Sequence, residues 1–272
     1  MAENLDNLND PADLRHGQYR DDRNLNARIY LHAHFSENPE DMMRWILQQV
    51  QLPDTARVLE VGCGPGTLWA ENLDRVPDDW RVTLTDLSPG MAARAQANIA
   101  DPRFQYLVAD ACRLPLASGK PFDTVFAHFM LYHVPDCDKA IAELRRLLKP
   151  GGRLYAATVG AQHMHELYLL VNEFLDGRAE MEDVHAALPF TLENGETQLA
   201  QHFDHVELLP FPDAVVVDEV DPLVAYIQSL PTSTQTLVRG ELADELHDFI
   251  AARIARDGAV RLTKRVGLFI AS

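Results

Sequence analysis

The sequence predicts an α/β fold with a mostly parallel sheet, and three observations carry that prediction. Between residues 57 and 158, short apolar runs alternate with helical stretches in the order strand, helix, strand, helix. The stretches between successive runs are long enough to bring the chain back across a sheet, as parallel pairing requires. The first run also breaks into three closely spaced glycines ahead of a helix, at the sheet edge where open α/β folds place their ligands.

The elements follow in order. Residues 1–24 are dominated by charges and Asn and are expected to form a mobile polar arm, with no apolar period before Leu25, Ile29 and Tyr30. From Ser36, a good N-cap, Met42, Met43, Trp45, Ile46, Leu47 and Val50 recur at helical spacing until Pro53, which predicts a helix over 36–51. Strands are expected at 57–61, 81–86, 104–108, 123–128 and 153–158, with helices at 68–75, 89–100 and 138–148 between them. The run Lys149-Pro150-Gly151-Gly152 reads as a helix stop. Beyond Gly160 the pattern is helical to about residue 188, with a further helix at 194–202. Two late strands, at 206–209 and 264–271, flank a helical insertion over 221–256. One domain is expected: arm and helix at 1–52, a binding core at 53–160, and the remaining strands with the insertion at 161–272.

Composition narrows the function. With 24 Lys and Arg against 41 Asp and Glu, the net charge of -17 repels a phosphate backbone and argues against nucleic acid as a partner. The same charge disfavours anionic membrane surfaces, and no stretch approaches the roughly 20 apolar residues of a spanning helix. The acidic N-terminus lacks the character of a signal or transit peptide. Cys63, Cys112 and Cys137 are odd in number and form no C-x-x-C pair, so no disulfide framework and no metal site is expected. A cytoplasmic protein fits these features.

The chemistry is concentrated at three strand ends. The segment Val58-Leu59-Glu60-Val61-Gly62-Cys63-Gly64-Pro65-Gly66 turns so that a ligand can approach bare backbone. Its G-x-G-x-G spacing departs from the G-x-G-x-x-G of dinucleotide sites. Asp86 ends the second strand twenty residues after Gly66, where a carboxylate can accept from two ribose hydroxyls, although Asp86 or Ser88 can equally cap the helix at Pro89. Asp110 follows the third strand and can accept from an exocyclic amine or simply make a turn.

Together these stretches resemble the class I S-adenosylmethionine-dependent methyltransferases, and within them the type 11 branch of small-molecule enzymes. The wording matches at VLEVGCGPG, LTDLSPGM, VADACRLPL, FDTVFAHFMLYHVPD and LKPGGRLY, over about residues 57–158. The resemblance implies a Rossmann-like, seven-stranded sheet with helices on both faces and an antiparallel last strand, carrying an N-terminal helical arm and a C-terminal helical insertion. It implies S-adenosylmethionine as cofactor, with S-adenosylhomocysteine as product. Glu60, Gly62, Cys63 and Gly64 would hold the methionine end, Asp86 the ribose, Leu87 and Met91 the adenine faces, and Asp110, Ala111 and Cys112 the adenine edge. His128 falls where the family lines its cofactor.

A sulfonium methyl is already electrophilic, so alignment of the acceptor is the main demand on the protein. Where the acceptor must lose a proton, His133 is the candidate base. Tyr30, His34, Tyr132 and Tyr226 are candidates for the acceptor side, and Tyr19 for a lid contact to the cofactor. His32 is a further candidate beside His34, whereas His163 and His165 are expected on a solvated helix and Trp45 and Tyr168 in the core. The acceptor is read as a small molecule, with O-, N- and C-methylation all open, and with a monomer or homodimer equally open. Two alternatives stand beside this reading: a cofactor-binding partner without catalysis, and a nicotinamide-dependent oxidoreductase, which the glycine spacing disfavours.

Overall fold

The structure, a computed structural model, describes residues 22–116, 121–230 and 232–272. Its seven strands are β1 (Arg57–Val61), β2 (Arg81–Asp86), β3 (Phe104–Val108), β4 (Phe122–Phe126), β5 (Leu148–Val159), β6 (Val206–Val217) and β7 (Val260–Ala271). They form one sheet in the order β3-β2-β1-β4-β5-β7-β6. β1 pairs in parallel with β2 and with β4, β2 with β3, and β4 with β5. β7 runs antiparallel to β5, with Leu154 opposite Ala271 and Val159 opposite Val266. The seven strands and the antiparallel last one agree with expectation.

The helices are α1 (Asp22–Phe35), α2 (Met42–Gln48), α3 (Thr67–Ala70), α4 (Pro89–Ile99), α5 (Cys137–Leu147), α6 (His165–Leu175), α7 (Gly195–Leu199), α8 (Val220–Ser229), α9 (Gln235–Arg239) and α10 (Ala243–Asp257). The chain divides into two compact units. One comprises Glu40–Gly160, Leu188–Phe211 and Val266–Ser272, and the other the described residues up to Pro39 with Ala161–Ala187 and Pro212–Arg265.

In the first unit the central strands β1, β4 and β5 are buried on both faces, as interior parallel strands require, whereas the edge strand β3 is largely exposed. Successive residues of β1 serve opposite faces: Leu59 and Val61 pack with Phe122, Leu144 and Phe269, while Val58 packs with Trp69, Leu84 and Phe126. α5 buries Cys137, Ala140, Ile141, Leu144 and Leu147, an i, i+3, i+4, i+7 stripe, and Asp136 caps it by accepting from the Lys139 N–H at 3.0 Å. α4 starts from the Ser88 cap with Pro89 in its first turn.

Several boundaries differ from expectation, each for a physical reason. Ser36 is not a helix cap: it forms a β-bridge to Val215 and donates its hydroxyl hydrogen to Asp213. α2 starts instead after Asp41, whose carboxylate accepts from the Arg44 N–H at 2.9 Å. α5 ends at Leu147, just before Lys149-Pro150-Gly151-Gly152, but that run already belongs to β5 instead of preceding it, and Lys149 Nζ pairs with Asp123 at 2.7 Å. β6 and β7 each run twelve residues, longer than their apolar runs suggested.

The second unit has its own core, built from Leu31, Leu167, Tyr168, Val171, Leu223, Ile227, Leu246, Ile250 and Leu262. Inside it Lys264 and Asp213 form a buried ion pair. His163 is also buried, its Nδ1 accepting from the Arg265 N–H at 3.1 Å, so it does not lie on a solvated helix. It precedes α6, where the loop is packed against the backbone of β7. His165 is half-buried and meets Asp183 at 2.9 Å. Among the described residues, no helix is long and apolar enough to cross a membrane.

Candidate functional site

The site is assembled at the carboxyl ends of β1, β2, β3 and β4. β1 delivers the chain to Gly62, Gly64 and Gly66, all at positive φ. The Cys63 N–H bonds to the Thr85 carbonyl at 3.0 Å, which ties the turn to β2. The glycines serve different ends. A Cβ at Gly62 would stand 2.6 Å from the Met130 Cβ, and one at Gly66 would stand 2.8 Å from Ile99 Cδ1, so both are packing positions. At Gly64, φ +55, a Cβ would meet nothing within 4 Å among the described residues. This bare, left-handed stretch of backbone faces open space, the property a ligand cradle needs.

Two carboxylates sit beside the turn. Asp86, at the end of β2, accepts from the Gly64 N–H at 2.9 Å and the Ser88 N–H at 2.8 Å, one on each oxygen. Burial pushes its carboxyl above the usual range, against the pull of those two N–H groups, and Glu60 adds to the rise. Ser88, not Asp86, caps α4. Glu60 is 3% exposed and fully engaged within the protein: the Trp69 indole N–H donates to Oε2 at 2.6 Å, and Oε1 stands 3.3 Å from His128 Nδ1. Among the described residues no Lys or Arg pairs with Glu60 or Asp86. The Cys63 thiol, enclosed next to both carboxylates, is pushed well above its ordinary range by burial first and by the two charges second.

After β3, Asp110 is exposed and turns the chain, its Oδ1 accepting from the Cys112 N–H at 2.8 Å. Ala111 is buried in the core, and the half-buried Cys112 donates from Sγ to the Asp136 carbonyl at 3.5 Å. Leu87 is half-buried after β2, and Met91 is buried in the first turn of α4.

β4 ends at Phe126, so His128 lies two residues past it rather than at its tip. The ladder to β5 nevertheless continues through the Ala127 and Phe129 N–H groups, each bonding a β5 carbonyl at 2.9 Å. Phe129 then adopts φ +54 and turns the chain toward Met130, which meets Gly62. His128 is 7% exposed, and its Nε2 is buried with no hydrogen-bond partner among the described residues. Tyr132 and His133 follow in a short helical turn with their rings 4.5 Å apart.

Tyr30, His34 and Tyr226 belong to the second unit. Tyr30 and His34 stack on α1 at 3.9 Å, and the buried Tyr226 donates its hydroxyl hydrogen to Met164 Sδ at 3.3 Å. Tyr19 lies outside the described residues. Trp69 and Met130 escaped the sequence reading, because nothing local marks an indole as the partner of a carboxylate nine residues earlier, or a methionine as the neighbour of a glycine on another strand. Among the described residues no group of three His, Cys, Asp or Glu side chains is placed to hold a metal ion.

A sheet in this order, with its glycine turn after β1 and its acid after β2, is the methyltransferase form of the Rossmann-like fold. Residues 59–156 match the family model described as a methyltransferase domain. Over 115 residues it is 37% identical to a malonyl-[acyl-carrier protein] O-methyltransferase of Enterobacter lignolyticus, covering 41% of this chain and 42% of that one. Over 102 residues it is 38% identical to a ubiquinone/menaquinone biosynthesis C-methyltransferase of Teredinibacter turnerae, covering 36% and 41%. The chain thus spans about two fifths of the length of these curated relatives. In fold it is similar to phosphoethanolamine N-methyltransferase 2 of Haemonchus contortus, solved with S-adenosyl-L-methionine, at TM-score 0.58 and 20% identity over 97% of this chain and 59% of that one.

Proposed function

We propose that the chain binds S-adenosylmethionine at the ends of β1 to β4 and transfers its methyl group to a small-molecule acceptor. One observation carries this reading. Two carboxylates, the buried Glu60 and the half-buried Asp86, flank the open backbone at Gly64 and have no Lys or Arg partner among the described residues. Buried charge without a counter-charge is costly, and a cationic ligand relieves it. S-adenosylmethionine carries a sulfonium and an ammonium, whereas the pyrophosphate of a nicotinamide dinucleotide would add negative charge beside both acids.

The residues present suit that cofactor. Each Asp86 oxygen accepts one backbone N–H and keeps a second lone pair for a ribose hydroxyl. Leu87 and Met91 offer apolar surface to the adenine, and the turn at Asp110, Ala111 and Cys112 offers polar atoms to its edge. The cofactor supplies the electrophilic methyl group, and the protein's part is to align the acceptor and exclude water. Tyr132 and His133 are assigned to the acceptor side, His133 as the proton acceptor for a hydroxyl or ammonium. The named relatives act through O-, C- and N-methylation, so the acceptor atom is left open. A reducing cytoplasm suits the three cysteines, all of which are free thiols.

The test is calorimetry with S-adenosylhomocysteine and, separately, NADH, followed by a mass-spectrometric search for a +14 product in cell extract. Micromolar binding of the first ligand alone supports the reading, and NADH binding without S-adenosylhomocysteine binding overturns it. Cofactor binding with no product from any extract would favour the non-catalytic alternative.

A further inference from the structure

We propose that His128, held in one tautomer by Glu60, is the residue that receives the ammonium group of the cofactor's amino-acid tail. The proposal rests on the cofactor reading above and departs from the expectation that Glu60 makes this contact itself.

Both Glu60 oxygens are already committed. The indole N–H of Trp69 is a donor only, so Oε2 must be its acceptor. Oε1 faces His128 Nδ1 at 3.3 Å, and against a carboxylate that nitrogen carries the hydrogen. In the neutral imidazole the other nitrogen, Nε2, is then a lone-pair acceptor. It is buried and has no hydrogen-bond partner among the described residues. A buried acceptor left unsatisfied is unfavourable, and it is retained where a ligand completes it.

Its position suits that role. Glu60 pairs in register with Phe126, which brings His128, two residues further on, beside the first glycine of the turn. Met130, two residues later still, packs against Gly62. With the imidazole neutral, the Glu60–His128 pair keeps one negative charge, which complements an ammonium without exposing a carboxylate to it. An imidazole serving only to support Glu60 would need Nδ1 alone.

The experiment compares two ligands that differ in the amino-acid tail: S-adenosylhomocysteine, which has it, and 5′-methylthioadenosine, which lacks it. His128→Asn keeps an N–H at the Nδ1 position for Glu60 but has nothing at Nε2. It is expected to weaken S-adenosylhomocysteine by about ten- to a hundred-fold, as for a lost hydrogen bond to a charged group, while leaving 5′-methylthioadenosine within about two-fold of wild type. His128→Gln, with an amide near the Nε2 position, should recover part of the loss. In the unaltered protein, the ¹⁵N resonance of His128 Nε2 should shift on adding S-adenosylhomocysteine and stay in place on adding 5′-methylthioadenosine. Equal losses for both ligands, no loss for either, or an unmoved Nε2 resonance overturns the assignment while the cofactor reading stands. A wild-type protein that binds neither ligand overturns both.

Discussion

Replacing Gly64 with Ala separates ligand binding from stability. The new methyl would meet no atom within 4 Å, so its structural cost reduces to holding a non-glycine residue at φ +55, about 1–2 kcal/mol. For a chain of this size that corresponds to a drop of roughly 2–8 °C in Tm. The same methyl would stand in the space assigned to the cofactor, so the S-adenosylhomocysteine Kd should rise by at least about ten-fold, which is ~1.4 kcal/mol or more. Gly62→Ala behaves differently. Its Cβ would stand 2.6 Å from the Met130 Cβ and 2.8 Å from Cγ, and a Cβ cannot swing away from its own backbone. Overpacking adds about 1–3 kcal/mol to the backbone term, for a total of roughly 2–5 kcal/mol. Met130→Gly should therefore relieve part of the Gly62→Ala defect and none of the Gly64→Ala defect, a coupling that a double-mutant cycle reads directly. Circular dichroism melts and calorimetry together give both quantities. Unchanged affinity in Gly64→Ala, or a loss of stability as large as that of Gly62→Ala, would refute the assignment of open backbone to the ligand.

Other outcomes follow from the same structure. Trp69→Phe keeps the ring but removes the donor to buried Glu60, and should lower the urea unfolding free energy by about 1.5–3 kcal/mol. His32 has its pKa lowered to about 4 by burial first and by Lys264 second. The unfolded chain takes up this proton near pH 6.5 and the native protein only near 4, so the contribution is whole above 6.5 and is lost as pH falls through that window, up to about 3 kcal/mol. Thermal melts from pH 7.5 to 4.5 should show that decline, and His32→Phe, which also removes the unpartnered Nδ1, should flatten it. Lys264→Met strands Asp213 inside the second unit and should cost about 3–5 kcal/mol by chemical denaturation, with Asp213→Asn added to it recovering a substantial part. A Lys264→Met protein as stable as wild type would show the ion pair to be dispensable.

The strands β1, β2 and β3 were legible to the residue, because each is a short apolar run bounded by polar or turn-forming residues and its period is a local property. The cap at Ser36 misled for the opposite reason. Its hydroxyl serves Asp213, 177 residues away, and no local rule can weigh a bond of that span. The run Lys149-Pro150-Gly151-Gly152 does follow a helix end, at Leu147, but it is a bulge in β5 rather than a loop: the register with β4 jumps from Phe122–Leu148 to Thr124–Arg153. His163 reads from the sequence as part of a solvated helix, yet it is buried before α6, its Nδ1 accepting from the Arg265 N–H of β7 102 residues away. In the site, the glycine turn and Asp86 were visible from spacing, while the engagement of Glu60 by Trp69 and His128 was not.

From the chain of residues come the α/β architecture, the left-handed turn at Gly62 to Gly66 and the acids at successive strand ends. Alternation, glycine tolerance and strand length are set by each residue and its immediate neighbours. Folding in three dimensions determines which partner each polar atom takes: Trp69 and His128 for Glu60, Met130 for Gly62, Asp213 for Lys264. Those choices depend on the packing of segments far apart in sequence. His128 lies 68 residues from Glu60, and only the adjacency of β1 and β4 closes that distance and leaves its Nε2 buried and unpaired among the described residues.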